Sequence, residues 1–141
     1  MKTIIYVIIN IIIWSTTFAQ TLPVPPRPMN AIAGSDFINL IWSMPRDQRE
    51  DQIYSQVISG NIPNFMRQLN TVTANAIIGG NNHTVKYFVI PEYLAVGSDS
   101  DYFLTPMTPL LAQRICNAIN CTMPTKKMVD QIYTTAPCKL R

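Results

Sequence analysis

The longest apolar run in this chain, from Ile4 to Trp14, is broken by Asn10 and stops well short of the roughly 20 residues a helix needs to cross about 30 Å of hydrocarbon. A lone Lys2 precedes the run, and small or polar residues come after it up to Thr17-Phe18-Ala19. That order of charge, apolar stretch and small residues is the pattern of a secretory signal, with Thr17 and Ala19 at the two positions where the peptidase requires small side chains. Cleavage is expected before Gln20. The part left to fold is residues 20–141, with no stable membrane span, delivered to the periplasm or secreted. At 141 residues in total the chain has room for one domain.

Composition narrows the class. Charged residues are 13% of the chain, too few for a charge-driven disordered segment, and the hydrophobic share of 48% suits a folded core. The net charge of +3 comes from basic residues spread along the chain. No nucleic-acid partner is expected, because such binding calls for a basic stripe.

Behind the cleavage point, Leu22-Pro23-Val24-Pro25-Pro26-Arg27-Pro28 fixes φ repeatedly and removes backbone donors, which predicts an extended proline-rich linker over residues 20–33. From residue 34 onward the pattern predicts an α+β domain: N-terminal helices, a small antiparallel sheet and a C-terminal helix pair. Ser35 or Asp36 is placed to cap a helix whose apolar residues Phe37, Ile38, Leu40, Ile41 and Met44 recur at threes and fours before Pro45. A second helix is expected over about 46–59, with Gly60 as its C-cap ahead of Pro63. Residues 64–76 fit a strand or irregular packing. Gly79-Gly80-Asn81-Asn82 is a turn, and residues 83–90 are β-branched and aromatic up to Pro91. Short extended pieces at 93–96 and 102–105 flank Gly97-Ser98-Asp99-Ser100-Asp101. Thr108 and Pro109 open one terminal helix, Thr125 precedes another, and both are too short to stand without packing on each other or on the sheet.

Cys116, Cys121 and Cys138 are three thiols, and export permits disulfides. Cys116 with Cys121, across the end of the first terminal helix, is the least strained pair, and two reduced thiols are the alternative. Cys138 has no evident partner in the sequence, which suggests that a partner lies beyond Arg141 and that the domain is truncated at its C-terminal end. The cysteine spacing with His83 matches no usual metal pattern, and no metal or other cofactor is expected.

Arg49-Glu50, Ser59-Gly60-Asn61-Ile62-Pro63-Asn64-Phe65-Met66-Arg67, the stretch from Ile90 to Phe103, Pro106-Met107-Thr108-Pro109 with Ala112-Gln113-Arg114, and Met123 to Tyr133 resemble the front portion of a family of uncharacterised exported bacterial proteins. The likeness spans residues 34–141 and leaves out the cysteines. The resemblance implies a longer protein that continues with proline-rich sequence and a further domain. It implies no reaction, cofactor or catalytic residue.

Candidate chemistry is sparse. His83 is the only histidine and sits beside a turn, so a small secreted hydrolase contained in this chain would have to use it. Asp99 and Asp101, with Tyr93 and Tyr102 beside them, are the ligand-binding candidates: two aspartates on a turn can aim oxygens at a ligand, or can bind their own backbone and cap the next element. Tyr87 and Phe103 extend the aromatic neighbourhood. Pro124-Thr125-Lys126-Lys127 is either an anion site at a helix start or a capped helix with solvated lysines. The sequence therefore leads to the non-catalytic N-terminal part of a larger cell-envelope or secreted protein. A self-contained extracellular module that binds a cell-envelope ligand is the alternative.

Overall fold

The structure, a computed structural model, describes residues 20–137. The signal-like run and Cys138 lie outside the described residues. The elements in order are α1 (Gly34–Ile41), α2 (Arg46–Ile58), a 3-10 turn (Asn64–Arg67), β1 (Asn70–Ile78), β2 (Asn81–Val89), β3 (Ala95–Gly97), β4 (Tyr102–Leu104), α3 (Pro109–Ala118) and α4 (Lys126–Thr135). This is an α+β arrangement with helices at both ends. Among the described residues no helix is long and apolar enough to cross a membrane.

The strands form two separate antiparallel hairpins instead of one sheet. β1 pairs with β2 from Asn70↔Val89 to Ile78↔Asn81, across a turn made by Gly79-Gly80. β3 pairs with β4, Ala95 opposite Leu104 and Gly97 opposite Tyr102. Pro91 separates them, because it cannot donate to a ladder and ends the first hairpin's pairing. The stretch over 64–76 resolves into the 3-10 turn and then most of β1.

Periodicity explains the core. Ile53 and Val57 on α2, and Leu111, Ile115 and Ile119 at four-residue steps along and just past α3, each form one buried stripe. They close on Phe37 and Ile41 of α1, Ile62, Met66, and Ala95 and Val96 of β3. Full burial of a side chain such as Phe37, which is 0% exposed, contributes about 2 to 3 kcal/mol.

Two helix ends share one device. After α2, the Asn61 N–H donates to the Gln56 carbonyl (2.9 Å) and the Gly60 N–H to that of Val57 (3.0 Å), a Schellman end with Gly60 at φ 85°. Gly60 is required there twice over: its φ is left-handed, and a Cβ would run into the Pro25 carbonyl oxygen. After α3, Asn120 takes the left-handed position at φ 52° and the Cys121 N–H donates to the Cys116 carbonyl (2.8 Å).

Residues 20–33 correct the expectation of a linker. Leu22 is buried in the core and Val24 packs against it. The Leu22 N–H donates to the Arg67 carbonyl (2.9 Å), and the Leu69 N–H to that of Gln20 (3.2 Å). Arg27 reaches further, donating from Nε to Asn61 Oδ1 (2.8 Å) and the Gly97 carbonyl (3.1 Å), and from Nη2 to the carbonyls of Ala31 (2.9 Å) and Ile32 (3.2 Å). Proline count predicts an extended conformation, but a single well-placed leucine and one arginine decide whether the segment docks.

The C-terminal helices take different partners. α3 lies against α2, with the Glu50 carboxylate accepting from the Thr108 N–H and hydroxyl (both 3.1 Å) and the Arg114 guanidinium 3.8 Å from the Tyr54 ring centroid. α4 lies against β1 and has no buried residue; the Tyr87 hydroxyl donates to Gln131 Oε1 (3.0 Å). Thr108 and Thr125 cap their helices as expected, accepting from Leu111 N and Met128 N (3.3 Å each). For α1 neither Ser35 nor Asp36 is the cap: Ala33 holds that position and the acceptor comes from elsewhere in the chain.

Cys116 and Cys121 occupy the two positions that a Schellman end brings into contact, and both are free thiols in the structure. Burial raises both thiol pKa values, and Cys121 raises that of Cys116 further. A raised folded-state pKa means the native state holds these protons more tightly than the unfolded chain. Their contribution is therefore complete below the unfolded thiol value of about 8.5 and declines as pH rises through it toward the folded value. Urea unfolding at pH 7 and pH 9.5 is expected to show a loss of stability on the alkaline side that is smaller in the Cys116→Ser/Cys121→Ser double variant. An equal loss in both proteins would assign the alkaline effect to other groups.

Candidate functional site

The Asp99-Asp101 turn holds distant helix starts. Asp101 Oδ1 accepts from the Ser35 N–H (2.8 Å) and Oδ2 from the Ser35 hydroxyl (2.6 Å), while its carbonyl accepts from the Gly34 N–H (3.1 Å). Asp99 Oδ1 accepts from the N–H groups of Asn64 and Phe65, and Oδ2 from Asn64 Nδ2. The first N–H groups of a helix have no partner within it, and a carboxylate also complements the dipole there. Both carboxylates thus close the domain around the β3–β4 hairpin. Tyr102 stands with them, its ring edge-on to Phe65 with centroids 5.3 Å apart.

Strand alternation sends Phe103 to the other face of β4. It lines a cleft of about 540 Å³ between α1, the first turn of α2 and the β3–β4 hairpin, together with Ile38, Trp42, Arg49, Tyr93 and, where the strand ends, Leu104. Trp42 is 77% exposed and Tyr93 80%, so two large rings stand in water at the rim of an apolar hollow. Burying these faces would be a further apolar gain at this surface. Arg49, half-buried, is the charged group of the lining. Among the described residues it forms no ion pair, since the carboxylates nearest in sequence are engaged: Asp47 with Arg46, Glu50 with Thr108, and Asp51 with Arg114 (2.6 Å). The Thr105 hydroxyl donates to the Leu94 carbonyl (2.9 Å), so its proton is committed.

Of the four ligand-binding candidates, Tyr93 alone lies in this cleft. Asp99, Asp101 and Tyr102 are grouped at the turn, and Tyr87 belongs to the other hairpin. Trp42 and Arg49 are not among the residues that the sequence marks for binding. A visible signal for Trp42 is its place just past α1, off the buried stripe of Phe37 and Ile41.

A second cleft of about 530 Å³ runs along the N-terminal segment beside Arg27 and Arg67. Its guanidiniums are already occupied by backbone carbonyls, Arg67 donating to Val24 (3.2 Å) and Gly60 (2.7 Å). Burial lowers the Arg67 pKa, with Asp99 opposing, and among the described residues only the Arg67 Nε is a buried side-chain polar atom without a partner. His83 is exposed on β2 opposite Ala76, and Lys126, also exposed, pairs with Asp130 one turn along α4 (3.2 Å). Among the described residues no group of three or more His, Cys, Asp or Glu side chains is placed to hold a metal ion. Compared with known proteins, the chain matches no family model, no curated protein and no solved structure.

Proposed function

We propose that this domain is a non-catalytic binding unit of an exported bacterial protein of the cell envelope or the secreted fraction, and that its ligand seats an apolar body in the cleft between Trp42 and Tyr93. The observation that carries the reading is the pair of exposed rings at the rim of that hollow, whose volume falls within the range of small-molecule sites. Export is supported by the order of Lys2, the apolar run and Thr17-Phe18-Ala19, and by the resemblance to exported proteins. Hydrolysis has weaker support, because Asp99, Asp101 and Glu50 already accept hydrogen bonds from helix starts and neither they nor His83 line the cleft.

The test uses the protein as a bacterial host releases it, with mass spectrometry expected to place its first residue at Gln20. Titration with the neutral fluorophore N-phenyl-1-naphthylamine is expected to give saturable binding. Trp42→Ala and Tyr93→Ala are each expected to weaken it about tenfold while the thermal midpoint stays unchanged, both side chains being mostly in water. Binding unaffected by either change would overturn the reading.

A further inference from the structure

Resting on that reading of the cleft, we infer that the ligand is a small carboxylate carried on an aromatic or branched apolar body, with Arg49 as its charged anchor. The lining has one cation and walls that are otherwise almost wholly apolar, so it offers one point for a charge and a larger volume for hydrocarbon. Arg49 is half-buried as a residue and lines the cleft with Ile38, Trp42 and Phe103 without an ion pair among the described residues, and an anion entering the cleft supplies one.

The shape of the donor set selects the anion. The guanidinium presents two parallel N–H groups that match the two oxygens of a carboxylate. A phosphate dianion would bring further acceptor oxygens, and the nearby Thr105 hydroxyl already spends its proton on the Leu94 carbonyl. A peptide laid along the cleft would bring an amide and a carbonyl with every residue, whereas beside Arg49 the side chains of the lining offer only the Trp42 indole N–H and the Tyr93 hydroxyl as further uncommitted polar partners. One charged head on a compact apolar body leaves no polar group unpaired.

The probes are 3-phenylpropionate and its neutral isostere 3-phenylpropionamide, each used to displace N-phenyl-1-naphthylamine from the full protein and from Arg49→Gln and Arg49→Lys variants. The acid is expected to bind at least tenfold tighter than the amide in the unchanged protein. That preference should vanish in Arg49→Gln and persist in reduced form in Arg49→Lys, where a point charge replaces the fork. Thermal melts of both variants verify folding, and each displacement is referred to that variant's own affinity for the neutral fluorophore. Equal affinity for acid and amide, or a preference that survives Arg49→Gln, overturns the carboxylate inference and leaves the apolar site standing. Failure of the neutral fluorophore itself to bind overturns the underlying reading, and this inference with it.

Discussion

Asn61→Leu is expected to destabilise the domain by about 3 kcal/mol, seen as a fall of about 2 M in the urea midpoint. Asn61 is 0% exposed, and its side chain is fully used: Nδ2 donates to the Ile32 carbonyl (2.9 Å) and to Gln56 Oε1 (2.7 Å), and Oδ1 accepts from Arg27 Nε (2.8 Å). Its own backbone carbonyl accepts from the Gly97 N–H (3.2 Å). One residue therefore joins the N-terminal segment, the end of α2 and the β3–β4 hairpin. Leucine keeps an apolar body of comparable length at the site, so the loss is chiefly of hydrogen bonds, three of them to groups that are only partly exposed to water. A cost below 1 kcal/mol would show that Arg27 and Ile32 find other partners, and that the N-terminal segment is held by Leu22 instead.

Gly97→Ala is expected to cost about 3 kcal/mol as well, roughly 10 °C in Tm, and to remove binding at the cleft. Gly97 has φ 130°, where a side chain is strained, and a Cβ there would collide with the Asp101 carbonyl oxygen and crowd Tyr102 Cα and Gly34 N. These are backbone atoms that cannot rotate aside. Relief would require the β3–β4 turn to move away from the start of α1, taking Asp101 off Ser35 and shifting Phe103 and Leu104, which form one wall of the cleft. A melting curve together with the N-phenyl-1-naphthylamine titration checks both effects. A stable variant with full affinity would show that the turn is not what positions that wall.

The readable parts of this fold are those encoded locally. Thr108-Pro109 marks a helix start, Gly60 a helix end and Gly79-Gly80 a hairpin, because each depends on a few neighbouring residues. β1 is harder to read, since its inward positions after Val72 are Ala74 and Ala76, whose small side chains weaken the alternation. Features that depend on residues far apart are hidden: Asp99, Asp101 and Glu50 cap segments 35, 66 and 58 positions away. A carboxylate on a turn looks the same in sequence whether it awaits a ligand or holds a distant backbone. The same limit applies to the cleft. Tyr93 stands out in the sequence for being near the aspartates, yet its partners, Trp42 and Arg49, come from α1's end and α2's first turn. The proline-rich segment misleads for a related reason: composition describes its conformation, whereas its docking rests on where Leu22 and Arg27 fall.

The β1–β2 hairpin and α4 contribute Val72 alone to the buried residues, and the central cluster is built entirely without them. The molecule is thus energetically layered. Separating α4 from the β1–β2 hairpin forfeits little apolar burial and breaks contacts such as Tyr87 to Gln131, so this outer unit can open at a small fraction of the global unfolding free energy. The cleft, its rim and the Asn61 junction all belong to the inner layer. The cleft is therefore insulated from fluctuations of the outer layer, and the exposed hairpin can vary in sequence and length without touching its lining.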